Sequence, residues 1–124
     1  MSKNDIEVKV APQYLAARSK PGLGLYVYSY TVTITNHGEL ACQLLGRHWI
    51  ITDAGGEEEK VSGPGVVGEQ PVLEPGESFA YTSSCPLHTA MGAMKGSYQM
   101  VNSEGEAFLA DIPAFVLVQA SEVN

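Results

Sequence analysis

The stretch LYVYSYTVTITNHGE, residues 25–39, decides the fold. Tyr26, Tyr28, Tyr30, Val32 and Ile34 share one parity, and Val27, Ser29, Thr31, Thr33 and Thr35 share the other. A period of two belongs to an extended chain whose successive side chains point to opposite faces. The aromatic and β-branched content suits a pleated sheet. The run predicts a strand over 25–36, one face in a core, closed by the turn-forming sequence NHGE.

The same alternation extends in both directions, and no segment carries a helical stripe. CQLLGRHWIITDAGGEEEKV (42–61) reads as a strand over 42–53, a Gly-Gly turn, then a polar strand over 57–63. ESFAYTSS predicts a strand over 77–84 with Phe79 and Tyr81 alternating with polar neighbours. Beyond it, strands are expected over 94–102 and 106–118, joined at 102–105, with Pro113 marking an edge or a bulge. The first strand, 5–18, is broken at Pro12, which also suits an edge.

About seven strands with frequent turns predict a single all-β domain over 1–124, an antiparallel two-sheet sandwich of immunoglobulin-like arrangement. The first, second and fifth strands would form one sheet, and the fourth, third, sixth and seventh the other. Trp49, with Leu45 and Ile51 on its face, is the expected core anchor. This topology gathers segments 36–41, 63–76 and 102–105 at one end, here called the top. Cys42 falls at the top and Cys85 at the bottom, beyond the roughly 7 Å Cα separation that a disulfide spans, so two free thiols are expected.

Fourteen acidic and seven basic side chains give a net charge of -7, with the basic residues scattered. Nucleic acid and anionic membrane are poor partners for such a surface. No apolar run approaches the ~20 residues of a membrane span. MSKNDIEVKV lacks an apolar signal region, so a cytoplasmic location is expected.

GPGVVG (63–68) spells the Gly-x-Gly-x-x-Gly fingerprint of dinucleotide binding, with Gly63, Gly65 and Gly68 as candidate pyrophosphate contacts and Arg47 or Lys60 as helpers. That fingerprint works when a helix follows and aims its N-terminus at the phosphates. Here EQPVLEPGES follows, in which Pro71 and Pro75 interrupt any helix and Glu69 adds negative charge. A turn is the preferred reading. Cys85 and His88 have half of a zinc spacing, but Cys42 and His37 belong to the other end and His48 to mid-strand. Asp53, Glu57, Glu58 and Glu59 read as a solvated hairpin tip rather than a magnesium or calcium site. No metal site and no cofactor are expected. Ser83 and Ser84 lack a nucleophile-elbow motif, and the polar group His37, Glu39, Glu104 and Glu106 reads as turn chemistry, so no catalytic residue is assigned.

The positive feature is the connection 63–76, long, rich in Gly and Pro, and carrying Val66, Val67, Val72 and Leu73. Long connections of this kind are usually functional. Some of these side chains are expected to cover the end of the core and the remainder to recognise a protein partner, by an apolar patch or by strand addition.

TITNHGELACQLLGRHWIITDAGG (33–56), GPGVVGEQPVLEPGESFAYTSSCPL (63–87), GSYQMV (96–101) and DIPAF (111–115) together resemble the bacterial ApaG family, in order and over nearly the whole chain. The resemblance implies a fibronectin type III-like sandwich. It also implies an interaction module, since the domain occurs alone in bacteria and within eukaryotic F-box and polymerase-delta-interacting proteins. The family's associations with cobalt and magnesium efflux and with diadenosine tetraphosphate imply no defined active site. They keep a pyrophosphate-containing nucleotide, with or without magnesium, at Gly63, Gly65 and Gly68 as the alternative to a protein partner.

Overall fold

Strand β2 (Tyr26–Asn36) occupies the centre of a three-stranded sheet, with β1 (Ile6–Tyr14) and β6 (Ser78–Leu87) antiparallel on either side. The second sheet has the order β4 (Glu58–Pro64), β3 (Cys42–Asp53), β7 (Gly92–Asn102), β8 (Ala107–Leu117), and a two-residue strand β5 (Val72–Leu73) also pairs with β3. These strands are seen in a computed structural model that describes residues 3–119. The all-β, two-sheet sandwich and the strand order are those the alternation predicts. Two strand ends lie more than two residues from where the sequence places them. β1 ends at Tyr14, where single 3-10 turns at Ala16–Arg18 and Pro21–Leu23 carry the chain to β2, rather than running to 18. β6 continues through Pro86, since an edge position spares proline a ladder hydrogen bond on one side.

Tyr28, Tyr30, Val32 and Ile34 point into the core, as their parity requires. They meet Trp49, whose ring contacts Tyr30 at 5.3 Å, Phe115 at 6.0 Å and Tyr98 at 6.4 Å, all in edge-on geometry. Edge-to-face packing of this kind brings the positive rim of one ring to the negative face of another, worth about 1 kcal/mol per pair beyond the area buried.

Trp49 is a core anchor, but Leu45 does not share its face. The β3–β7 register shifts between Leu44 and Gly46, so Leu45 is the extra residue of a β-bulge. Leu44 is fully buried and Leu45 is 37% exposed. A bulge reverses the parity of the strand, so Cys42 and Leu44 point inward before it and Trp49 and Ile51 after it. Gly46 permits this because the Gln99 side chain fills the space beside it, its Oε1 lying 2.5 Å from where a Cβ would stand.

The flanks of the sandwich differ. On one side β1 packs against β8 and closes the core. On the other a cleft opens, lined by residues of β4 and β6. Cys42 and Cys85 are both free and buried, at opposite ends of the fold.

Candidate functional site

The connection after β4 is braced rather than loose. The N–H of Gly65 donates to the carbonyl of Leu45 at 2.8 Å, the N–H of Leu44 to that of Pro71 at 3.0 Å, and the Gln70 side chain to that of Leu45 at 2.9 Å. Val66 and Glu69 exchange both backbone bonds, at 2.8 and 2.9 Å, closing a tight turn across Val67 and Gly68. The four apolar residues divide accordingly. Val66 and Leu73 are buried in the top of the core, and Val67 and Val72 are 56% and 54% exposed. The expected division holds in this form: Val66 and Leu73 cover the end of the core, and Val67 and Val72 are the two left facing solvent.

The three glycines each have a local reason to be glycine. A Cβ on Gly63 would stand 3.0 Å from Nη1 of Arg47, against which it packs. Gly65 has φ +61°, and a Cβ there would collide with the carbonyl of Glu69. Gly68 has φ +81°, within the same turn. β5 and further strand follow, so no macrodipole points at the glycines, and the Gly65, Val66 and Glu69 N–H groups are already bonded.

Arg47 stands apart from the other basic residues. It lies half-buried on the inward face of β3 after the bulge, lining the open flank, and from Nη1 it donates to the carbonyls of Pro64 at 3.0 Å and Gly65 at 3.1 Å. Among the described residues no carboxylate stands within ion-pair distance of it. The ion pairs formed join Lys3 to Glu104 and Glu106, and Glu7 to Lys9 and His37. Its shared parity with Trp49 was the available signal.

The cleft that Arg47 lines has a volume of about 260 Å³. Trp49, Ile51, Val61 and Met94 supply apolar walls, Tyr30 and Ser83 supply hydroxyls, and Ser84 borders the opening. Beneath it the hydroxyls of Tyr81 and Tyr98 hydrogen-bond to one another at 2.5 Å, joining the two sheets. Burial pushes the Tyr81 phenol up to about 12 and Tyr98 higher, while Arg47 pulls each weakly down. Burial also raises Tyr30, opposed by its hydrogen bond with Ser83. Cys85, at the cleft floor, is raised to about 11, chiefly by burial and further by Glu59. A thiol held this protonated is a weak nucleophile at neutral pH.

The other candidate residues are not brought together. His37 pairs with Glu7 at 2.9 Å, and Glu104 and Glu106 pair with Lys3, so the polar group imagined with Glu39 does not form. Asp53 caps the β3–β4 turn by accepting from the N–H of Gly55 and of Glu57. Among the described residues no three His, Cys, Asp or Glu side chains converge as metal ligands. Among the described residues no helix is long and apolar enough to cross a membrane. Asn36, read only as a turn former, is fully buried, and its side chain donates to the carbonyls of Leu40 and Leu73 and accepts from Gly38.

Fold and site define a small two-sheet β-sandwich with a braced Gly/Pro connection at its top and one open flank. The chain belongs to the ApaG family, whose ApaG domain model matches residues 16–102. It is 54% identical over 112 residues to Protein ApaG of Acidovorax sp. (strain JS42), covering 90% of this chain and 82% of that one. It is 53% identical over 116 residues to Protein ApaG of Dechloromonas aromatica (strain RCB), covering 94% and 91%. A solved structure of an ApaA protein from Bordetella pertussis is 46% identical and superposes with a TM-score of 0.92, covering 94% of this chain and 95% of that one.

Proposed function

We propose that this protein is a cytoplasmic, non-enzymatic interaction module that seats a protein partner on the upper outer face of the second sheet. The supporting observation is a set of large apolar side chains held out into solvent there. Val72 and Leu109 are 54% and 64% exposed, the bulge turns Leu45 outward beside them, and the braced turn presents Val67. Paired residues share a face, so the register of β5, β3, β7 and β8 places Val72 with Gln43 and Val101, and Leu109 with Gln99. Exposed apolar residues clustered on a rigid scaffold mark interaction surfaces. Glu69 and Glu74, exposed in the same connection as Val67 and Val72, select a partner with basic residues around an apolar centre. The family's association with cobalt and magnesium resistance enters, on this reading, through that partner.

The test is affinity capture from bacterial lysate with wild type and with the double variant Val72→Asp, Leu109→Asp. Both positions are exposed, so the variant keeps its fold, checked by its NMR spectrum. Val66 is unsuitable, being part of the core. A protein retained by wild type and lost from the variant is the expected result, and identical retained sets would sink the proposal.

A further inference from the structure

The open flank is a second surface of the fold, separate from the apolar outer face. Three observations converge on it. First, Arg47 is a half-buried cation with no carboxylate partner among the described residues, and only Nη1 is engaged, by two neutral carbonyls. A partly desolvated guanidinium gains most from a planar anion that accepts two hydrogen bonds. Second, Ser83, Ser84, Cys85 and Pro86, four consecutive residues of β6, all line the cleft. Consecutive strand residues point to opposite faces, so their joint presence means that the backbone edge itself borders the cleft. Third, β6 is the edge strand without protection. Ser78–Leu87 contains no charged residue and no proline before Pro86, whereas β1 carries Pro12, β4 carries Glu58, Glu59 and Lys60, and β8 carries Asp111 and Pro113. An uncharged free edge accepts an added strand.

We propose that this cleft binds the C-terminal end of an extended polypeptide. The chain-terminal carboxylate sits on Arg47, the last apolar side chain lies against Trp49, Ile51, Val61 and Met94, and the backbone adds as a strand along β6. The volume of about 260 Å³ suits one side chain and its carboxylate rather than a nucleotide. Glu59 at the cleft and the net charge of -7 oppose a phosphate dianion more strongly than a single carboxylate, which Arg47, the one cation lining the cleft, matches in charge. Ser83, on the inward parity of β6 with Tyr81 and Cys85, borders the same group.

Trp49 is the sole tryptophan and lines the cleft, so its fluorescence reports occupancy. The ligands are the acetylated pentapeptide Ser-Thr-Val-Thr-Phe with a free carboxylate, the same peptide as its C-terminal amide, and 3-phenylpropionate. We expect saturable binding of the acid peptide, roughly tenfold or more tighter than the amide, as for loss of one hydrogen bond to a charged group. Shifts of the Ser83, Ser84 and Cys85 amides should accompany it. Arg47→Gln should abolish the preference for acid over amide. Ser84→Asp, at an exposed position that leaves the fold intact, should weaken the acid peptide selectively. Equal binding of acid and amide, phenylpropionate matching the peptide, or no saturation at millimolar peptide would each overturn the proposal.

Discussion

The side chain of Asn36 donates from Nδ2 to the carbonyl of Leu73 at 2.9 Å, in a site closed to solvent. With its bonds to Leu40 and Gly38, this one residue ties the end of β2 to the start of β3 and to β5. Replacing Asn36 with Ala leaves the Leu73 carbonyl buried with a lost partner, and should destabilise the fold by about 2–4 kcal/mol. Denaturant unfolding measures this, and a loss under about 1 kcal/mol would show that water substitutes for the amide.

The Tyr81–Tyr98 hydroxyl pair spans the core between β6 and β7. Tyr81→Phe or Tyr98→Phe alone strands a buried hydroxyl and should cost about 1–3 kcal/mol. Removing both hydroxyls should cost clearly less than the sum of the single losses, because no unpaired group is left. A strictly additive double-mutant cycle would contradict the pairing.

Stability should fall at alkaline pH. Cys85 is raised from 9.0 to about 11 and Tyr81 from 10.0 to about 12, both by burial, and Tyr30, Tyr98 and Cys42 are raised as well. Each folded value lies above the unfolded one, so the folded state keeps protons that the unfolded chain releases. The contribution is complete below the unfolded value and is lost as pH rises through the folded one. The urea midpoint should thus hold level to about pH 9 and decline between about 9 and 12. A flat profile to pH 11 would mean that these groups are solvated.

Glycine at 65 is required by the turn, and valine at 67 strains it. Gly65→Ala meets both a positive φ and the Glu69 carbonyl, and should cost more than about 2 kcal/mol. Val67 holds φ +42° with a β-branched side chain, so Val67→Asn should raise the melting temperature by a few degrees, near +0.5–1 kcal/mol. Thermal unfolding of the two variants should move in opposite directions.

The same turn bears on nucleotides. With the N–H groups of Gly65, Val66 and Glu69 bonded internally and Gly63 packed on Arg47, the segment should give no saturable amide shifts at Gly63, Gly65 or Gly68. The titrants are ATP and diadenosine tetraphosphate, each with and without magnesium, to millimolar concentration. Saturable shifts at those three residues would restore the pyrophosphate reading.

Period-two alternation was sufficient for the strands, since it depends only on which side chains a pleated chain places on one face, and the immunoglobulin-like arrangement then assigned them to two sheets. Strand β3 came out over the predicted 42–53, and the tyrosines of β2 point where their parity puts them. Chain order with short turns sufficed for the top and bottom ends, and so for the separation of Cys42 from Cys85. Only the tertiary structure decided the rest, because each remaining feature is a choice of register between segments far apart in sequence. At the Leu45 bulge Gln99 fills the space that Gly46 leaves, and β5 forms where Val72 and Leu73 meet Gln43 and Cys42. Those choices bury Val66 and Leu73 and expose Val67 and Val72. They also leave Arg47 facing an open flank, and whether a charge has a partner is set by distances across the fold that a linear pattern does not contain.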